Sequence, residues 1–392
     1  MPFEPLSVEQ REIRELVRTL ASERVAPRAA EIDKTAEFPW DVVELFREHG
    51  LFGLPFEERH GGTGTGALMV LVAIEELSKV CATSGLILTV QELGSLGLKL
   101  AGTQEQKERC LPKLASGEWL GAYALSEAGS GSDSAAMRTT ARRDGDEYVL
   151  DGGKRFITNA GVATLYTVFA QTGPDAGHAG ISAFLLEADA PGFEVARLEP
   201  KMGIAGSTTG ELVFDECRVP AANLLGEEGE GFRIAMRILD RSRAGVAAQA
   251  LGIAQGATDY ALEYARTRET MGKPIAEHQL IAAKLADMET ACAAARGLLY
   301  RFGQMVDARA PEEELTKASA MAKLACSDAA MAVTTEAVQI LGGYGYIKEY
   351  PVERMMRDAK ITQIYEGTNE IQRLVIAREM LREQRAYLLA EV

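Results

Sequence analysis

One short segment near the C-terminal end combines residue types that can carry out acid–base chemistry. Residues 364–373 read Ile-Tyr-Glu-Gly-Thr-Asn-Glu-Ile-Gln-Arg, an apolar run that meets a turn and then the start of a helix. A carboxylate such as Glu366 in a half-buried turn has a raised pKa, which suits a general base. Asn369 and Gln372 are expected to cap the helix, whose free amides favour an anion. On spacing alone, an ordinary surface acid is the simpler interpretation of Glu366.

Other segments could hold a ligand through backbone amides. Residues 123–133, Tyr-Ala-Leu-Ser-Glu-Ala-Gly-Ser-Gly-Ser-Asp, indicate a strand that enters a loop dense in glycine and hydroxyl side chains. Such a loop offers free N–H groups to anions or ring heteroatoms. Residues 154–160 indicate a strand ending in a turn, while 266–275 and 339–345 place an arginine and a glycine pair near helix ends. Taken singly, each is equally well explained as a plain turn, a solvated arginine or a glycine that ends a helix.

The elements that must position these groups fall into three blocks. Helical spacing of apolar residues marks the first third, short strand-like runs fill the middle, and long alanine-rich helices follow. We predict an α+β multi-domain fold: an N-terminal helical domain over 1–120, a small β-barrel or sandwich over 121–228 and a four-helix bundle over 229–392. The sequence has no G-x-G-x-x-G between a strand and a helix, so a dinucleotide would not bind on a Rossmann finger.

Local signals mark several expected element ends. Ser7 and Gln10 match a capping box, and Asp144-Gly145 indicates a β-hairpin. The expected strands include 166–171, 181–187 and 211–214, and the expected long helices are 232–267, 279–306, 317–341 and about 369–384.

Composition argues against several classes of function. The 392 residues carry a formal net charge of -15 without any run of Lys and Arg, so no nucleic-acid partner is expected. The five cysteines are scattered and the four histidines isolated, which argues against a metal site and favours buried free thiols in a reducing compartment. The first twenty residues do not resemble a signal peptide, and the longest apolar run is too short to span a membrane. We expect a cytoplasmic protein without a metal or a membrane partner.

A longer segment around Glu366 changes its interpretation. Residues 357–373, Arg-Asp-Ala-Lys-Ile-Thr-Gln-Ile-Tyr-Glu-Gly-Thr-Asn-Glu-Ile-Gln-Arg, resemble the C-terminal signature of acyl-CoA dehydrogenases, in which the glutamate after Ile-Tyr is the catalytic base. The resemblance covers nearly the whole chain and is most pronounced from about Gly229 onward. It implies that Glu366 removes the α-proton of an acyl-CoA, that FAD takes the β-hydrogen as hydride, and that the product is a trans-2-enoyl-CoA. The electrons would then pass to an electron-transfer flavoprotein.

The resemblance also implies flavin contacts from the 123–133 loop. In the family, the residues matching Tyr123, Leu125 and Ser126 lie along the flavin ring. The serine matching Ser132 lies on the FAD pyrophosphate or near the CoA part of the substrate.

Two further segments, residues 154–160 and 201–220, resemble the family, and each differs from the family pattern at one position. An aromatic residue matching Phe156 covers the flavin ring, often as Trp, and a threonine matching Thr158 hydrogen-bonds near the reactive nitrogen. Members usually carry arginine where this chain has Ala205, so a role for that arginine is not expected here.

Cofactor contacts from a neighbouring subunit across a dimer interface are also implied. The family resemblance further implies a homotetramer, a dimer of dimers, although a dimer alone would also supply these contacts. The family pattern Arg-x-x-Phe-Gly matches Arg268, although Met271 replaces the phenylalanine. The implied contacts with the adenine-dinucleotide half of FAD are Arg268, Met271, Gln279, Gln339 and Gly343. Thr368 and Glu370 are further expected cofactor contacts.

The resemblance places the substrate beside Glu366, where the backbone N–H of that residue and a flavin ribityl hydroxyl would bind the thioester carbonyl. The expected substrate contacts are Ser132, Asp240, Arg243, Tyr365 and Gly367. Some relatives carry the base in a Leu-x-x-Glu-Arg pattern, but residues 239–243 read Leu-Asp-Arg-Ser-Arg. Because Ser242 cannot act as that base, Glu366 is favoured, together with short or medium straight chains or 2-methyl-branched chains over isovaleryl-type substrates.

Two alternatives share the expected fold. A flavin oxidase or monooxygenase is one, but nitroalkane-oxidase-like proteins carry Asp at the position of Glu366 and monooxygenases commonly lose the acid. A non-enzymatic, DNA-associated relative is the other, and it should show a basic face or an added basic segment. The retained glutamate and the acidic charge favour the dehydrogenase.

Overall fold

The structure is a computed structural model that describes residues 6–390, and its first part is helical. The helices are α1 (Val8–Leu20), α2 (Ala29–Thr35), α3 (Trp40–Glu48), α4 (Ala67–Ser78), α5 (Ala82–Ala101) and α6 (Gln104–Ala115). The predicted capping box begins α1, since the N–H of Gln10 donates to Ser7 Oγ and the N–H of Ser7 donates to Gln10 Oε1. Helices α4 and α5 are buried on nearly every side and form the centre of this part.

The middle of the chain forms one eight-stranded sheet. Its strands are β1 (Gly121–Ala124), β2 (Thr140–Asp144), β3 (Glu147–Thr158), β4 (Leu165–Gln171), β5 (Ile181–Glu187), β6 (Phe193–Leu198), β7 (Thr209–Pro220) and β8 (Leu224–Leu225). The order is β6-β7-β3-β2-β4-β5-β8, with β1 parallel to β4, and the predicted hairpin at Asp144-Gly145 joins β2 to β3. Strands β2 and β4 pair only at Thr140 and Gln171, and side chains from both halves meet in one buried cluster, so the sheet folds over on itself.

Long helices form the last part, as predicted. They are α7 (Gly231–Thr267), α8 (Gln279–Asp307), α9 (Glu312–Leu341), the shorter α10 (Val352–Lys360) and α11 (Asn369–Ala390). A small hairpin of β9 (Glu269–Thr270) and β10 (Lys273–Pro274) joins α7 to α8. Helix α7 packs against α4, α5, α8 and α9, and its small residues allow this close approach. A Cβ at Gly256, for example, would lie 2.0 Å from the carbonyl oxygen of Lys79.

The sheet is fixed to the helices by a separate apolar cluster. Leu93 and Leu96 of α5 pack there with Phe169 of β4, Leu185 of β5 and Ile234 of α7. This cluster brings the end of α5, the sheet and the first turns of α7 together, and it therefore fixes the relative positions of three walls of the cavity described below.

The predicted succession of helices, strands and helices is confirmed. All five cysteines are buried and free, as expected. Between residues 6 and 390, no helix combines the length and the apolar character needed to cross a membrane.

Candidate active site

A cavity of about 1390 Å³ opens where the sheet meets the helices. Its walls come from α5, the loop after β1, the end of β3, α7 and the segment between α10 and α11. The predicted site residues on these walls are Tyr123, Leu125, Ser126, Ser132, Phe156, Thr158, Asp240, Arg243, Tyr365, Glu366, Gly367 and Thr368. Pockets for a single small ligand usually measure roughly 300–1,000 Å³, so this cavity can hold more than one ligand.

The carboxylate of Glu366 is presented by a turn with an unusual backbone. Glu366 has a φ of +54° and Gly367 a φ of +86°. A left-handed conformation costs a residue with a side chain roughly 1–2 kcal/mol. Gln372 Nε2 donates to the carbonyl oxygens of Glu366 and Gly367, at 3.2 and 2.8 Å, and Lys323 Nζ donates to that of Gly367 at 2.8 Å. Strain of this kind, held by surrounding contacts, is typical of functional sites.

Burial and three neighbours set the protonation of Glu366. Loss of contact with water raises the pKa of its carboxyl group, which makes the ionised form a stronger base. A 2.6 Å hydrogen bond from Ser242 Oγ to Glu366 Oε2 and the positive charges of Arg243 and Lys323 oppose that rise. The raised pKa agrees with the prediction made for a half-buried turn.

The start of α11 differs from the prediction. Thr368 is the residue that caps the helix, because its Oγ1 accepts the N–H of Ile371 at 3.3 Å. The side chain of Asn369 is buried instead, where it donates to Ser327 Oγ and accepts from Lys323 Nζ. The predicted capping by Asn369 and Gln372 was therefore wrong, since Asn369 is hydrogen-bonded to α9 and Gln372 holds the turn in front of the helix.

The loop after β1 fits the flat, polar ring that the resemblance predicts. Tyr123 Oη is buried and has no hydrogen-bond partner among the described residues, although it lies on the cavity wall. An unsatisfied buried hydroxyl of this kind is explained by a polar ligand. The carbonyl oxygen of Ser126 accepts the N–H of Arg155 at 2.8 Å, which holds this loop against β3. Leu125 is buried beside them, and Ser132 is exposed at the mouth of the cavity.

Phe156 presents an apolar ring to the same cavity. Its side chain is 59% exposed and its φ is +61°, an outlier for a bulky residue. The pairing of β3 with β7 is irregular between Lys154 and Ile157, and this irregularity turns Phe156 towards the cavity. Thr158 follows on regular backbone, paired with Thr209.

Asp240 and Arg243 form an ion pair on the wall formed by α7. Arg243 Nη1 donates to Asp240 Oδ1 at 2.6 Å, and Thr316 Oγ1 donates to Asp240 Oδ2 at 2.7 Å. Arg243 is only 4% exposed, and its Nε has no hydrogen-bond partner among the described residues. Tyr365, the last predicted substrate contact, donates its hydroxyl to Gln249 Oε1.

A second, more open cavity of about 600 Å³ lies between the β9–β10 hairpin and the end of α9. Arg268, Met271 and Gly343 line it, and the guanidinium of Arg268 lies 5.6 Å from the ring centre of Tyr344. Met271 is 93% exposed. The structure thus separates these residues from the cavity that contains Glu366.

Three predicted cofactor residues lie on neither cavity. Gln279 begins α8 and Gln339 is near the end of α9, both exposed, while Glu370 lies on the outer side of the first turn of α11.

Another large cavity, about 1380 Å³, lies between α1, α4, α7 and α8 and contains none of the predicted site residues. Its two buried acids are matched, because Arg296 pairs with Glu75 at 2.8 Å and Arg18 with Glu76 at 3.1 Å. We therefore assign the chemistry to the cavity around Glu366.

Sequence reasoning missed Lys323, which holds the turn, and gave Gln372 a different role. Lys323 is fully buried, and loss of water lowers its pKa to about 7, although the charge of Glu366 opposes this. Lys323 is the only charged residue in the stretch 318–327, where all its neighbours are small or apolar. This isolated charge was the available signal in the sequence. Gln372 was predicted as a helix cap, whereas its side chain donates to the carbonyl oxygens of the turn.

Models of a known protein family match all three parts of the chain. Family models described as the N-terminal, middle and C-terminal domains of acyl-CoA dehydrogenase match residues 7–118, 122–217 and 229–381. The short-chain-specific acyl-CoA dehydrogenase of Clostridium acetobutylicum is 47% identical over 378 residues, covering 96% of this chain and 99% of the relative.

Two solved structures are also similar over nearly their whole length. Butyryl-CoA dehydrogenase from Megasphaera elsdenii has a TM-score of 0.94 and 44% identity, covering 97% of this chain and 100% of its own. A chain from the structure described as the electron transferring flavoprotein of Acidaminococcus fermentans, in work on flavin-based electron bifurcation, has a TM-score of 0.95 and 45% identity, with the same coverage. The chain therefore belongs to the acyl-CoA dehydrogenase family, whose members are FAD-dependent oxidoreductases.

Proposed function

We propose that this enzyme oxidises an acyl-CoA to the trans-2-enoyl-CoA, with Glu366 as the base that removes the α-proton. The observation that supports this most is the position of Glu366: a carboxylate with a raised pKa, on a strained turn, facing a cavity that also contains the Tyr123 and Phe156 segments. A base works best when its pKa is raised towards the working pH and its position is fixed. Burial raises the pKa of Glu366, and the hydrogen bonds of Gln372 hold its turn in place.

The residues of the chain would divide the work as follows. Bound FAD supplies the acceptor for the β-hydrogen, which leaves as hydride. Tyr123, Leu125, Ser126, Phe156 and Thr158 would hold its ring. The backbone N–H of Glu366 would donate to the thioester carbonyl, because negative charge develops on that oxygen as the α-proton leaves.

Substrate contacts would come from the opposite walls. Tyr365 and Gly367 would flank the thioester, and the Nε of Arg243 would serve the CoA part, with Asp240 fixing the guanidinium. Ser132, at the cavity mouth, would contact either the CoA part or the FAD pyrophosphate. Thr368 lines the same cavity and would contact the cofactor, while the outward position of Glu370 supports only a peripheral contact.

The division at 1–120, 121–228 and 229–392 is proposed as the domain organisation, with the active-site cavity where the three domains meet. The second, open cavity would hold the adenine half of the FAD that is bound to a partner copy. It is lined by Arg268, Met271 and Gly343, and Gln279 and Gln339 are nearby in the sequence. Its separation from the Glu366 cavity supports this role and, with it, a dimer-based homotetramer.

The proposed substrate carries a short acyl chain, and the proposed electron acceptor is an electron-transfer flavoprotein. The relatives include a short-chain-specific enzyme and butyryl-CoA dehydrogenase, and the apolar end of the cavity is lined by Leu86, Val90 and Leu93. A structural relative comes from work on an electron-transferring flavoprotein, which supports that partner as the electron acceptor.

Anaerobic titration of the yellow holoenzyme with straight and 2-methyl-branched acyl-CoAs tests the reaction and the substrate together. We expect short straight or short 2-methyl-branched chains to bleach the flavin, while long chains leave it oxidised. Absence of bleaching with every acyl-CoA would refute the reaction. Steady oxygen consumption during turnover in air would instead identify an oxidase.

Phe156→Ala is expected to weaken FAD retention about tenfold, since an aromatic contact of this size contributes roughly 1–1.5 kcal/mol beyond its buried area. Phe156→Trp keeps the aromatic face and should retain FAD like the natural protein. The measurement is flavin content after gel filtration at several protein concentrations. Equal retention in all three proteins would show that Phe156 does not cover the ring.

A further inference from the structure

Ser242 lies where the α7 helix faces the turn that presents the base. Its side chain is 4% exposed, and its Oγ is 2.6 Å from Glu366 Oε2. Among residues 6–390, Ser242 is the one residue whose side chain donates a hydrogen bond to the carboxylate of Glu366. From the sequence, Ser242 was identified only as a residue that cannot act as the catalytic base.

We propose that Ser242 is a positioning residue, which holds Oε2 of Glu366 so that Oε1 faces the α-carbon of the substrate and stays ionised. This inference rests on the proposed role of Glu366. The α-proton would pass to Oε1 and leave a carboxylic acid, while Ser242 keeps its own proton, so the step needs no further donor or acceptor.

Three of the charged and titratable groups around the carboxylate already have hydrogen-bond partners of their own, and the fourth, Tyr123, is neutral. On α7, Arg243 donates to Asp240, and on α9, Lys323 donates to Gly367 and Asn369. Tyr365, next in the chain, donates to Gln249. Tyr123 faces the cavity from β1, and burial, together with the charge of Glu366, raises the pKa of its phenol, so it stays neutral. The two cations therefore act on Glu366 through space, and Ser242 acts on it directly.

A hydroxyl suits this position better than a cation. A hydrogen bond to the charged form lowers the pKa of a carboxyl group, but it does not neutralise the charge that the base needs. A lysine or arginine in direct contact would lower the basicity much further, because an opposite charge at short range favours ionisation strongly. Ser242 thus offsets part of the effect of burial on Glu366 and leaves it a usable base.

The test compares Ser242→Ala with Ser242→Thr, which restores the hydroxyl. The rate of anaerobic flavin reduction by an acyl-CoA is measured by stopped flow across the pH range in which the protein is stable. Without the hydrogen bond, protonated Glu366 persists to higher pH, so the acidic limb of the alanine variant should move to higher pH. Its rate should fall about tenfold at acidic pH and recover at alkaline pH, as expected for one lost hydrogen bond to a charged group.

The threonine variant should return the pH profile towards that of the natural protein, and both variants should stay folded and retain FAD. A loss of rate in the alanine variant that is equal at every pH, or an unchanged profile, would overturn the positioning role.

Glu366→Gln separates this inference from the proposed function. If that variant is still reduced by acyl-CoA, Glu366 is not the base and both proposals fail. If it is not reduced while Ser242→Ala keeps the natural pH profile, Glu366 remains the base and only the role of Ser242 is refuted.

Discussion

Replacing Glu366 by glutamine is expected to lower the rate of flavin reduction by acyl-CoA about 10²–10⁴-fold, the usual contribution of a positioned general base. An amide oxygen does not accept the α-proton at neutral pH, whereas the shape of the side chain is conserved. The amide oxygen can still accept from Ser242, so the turn and the cavity should keep their form. FAD content and acyl-CoA binding, followed by the change in flavin absorbance, should therefore be retained.

A matched control separates loss of the base from loss of any acidic group. Glu118 is exposed in the loop between α6 and β1, away from the cavity, and Glu118→Gln should be reduced at the natural rate. Full bleaching of the Glu366→Gln holoenzyme at the natural rate would refute the assignment of the base.

Replacing Gly367 by alanine is expected to have the second largest effect. Gly367 has a φ of +86°, so a side chain adds roughly 1–2 kcal/mol of backbone strain. The new Cβ would also lie 2.7 Å from Nε2 of Gln372, the side chain that holds the carbonyl oxygens of Glu366 and Gly367. Either the side chain of Gln372 or the turn would have to shift, and both changes loosen the hold on Glu366. A displacement of about 1 Å at a reacting group can cost about 10²-fold in rate.

Gly161→Ala is the control for the backbone strain that a side chain causes at a positive φ. Gly161 has a φ of +82°, but a Cβ there meets nothing within 4 Å. Thermal unfolding should show a loss of stability in both variants, with the larger loss in Gly367→Ala, whereas flavin reduction should slow only in Gly367→Ala. Equal rates of reduction in the two variants would show that the position of the turn does not limit the chemistry.

The large elements could be predicted because local patterns and packing agree. Helical spacing, the Ser7–Gln10 capping box and the Asp144-Gly145 hairpin each rest on neighbours within a few residues, and the structure contains all three. Most predicted site residues also share one cavity. Their meeting was implied by a family resemblance, since spacing along the chain does not show that Tyr123 and Glu366 are neighbours.

The details of the base could not be predicted because they depend on contacts between distant segments. Ser242 and Lys323 belong to two different helices, and each reaches the 366–367 turn only after α7, α9 and α11 have packed. The positive φ of Glu366 had no local signal, because residues other than glycine rarely adopt it. The error at Asn369 has the same origin, since a buried lysine competes for a side chain that would otherwise cap the helix.

The most direct measurement is a crystal structure of the holoenzyme with an acyl-CoA analogue that cannot be oxidised. We expect one carboxylate oxygen of Glu366 within about 3–3.5 Å of the carbon next to the thioester carbonyl, with the flavin ring on the opposite face of the acyl chain. A carboxylate turned to bulk solvent, or a thioester bound away from Glu366, would contradict its role as the base.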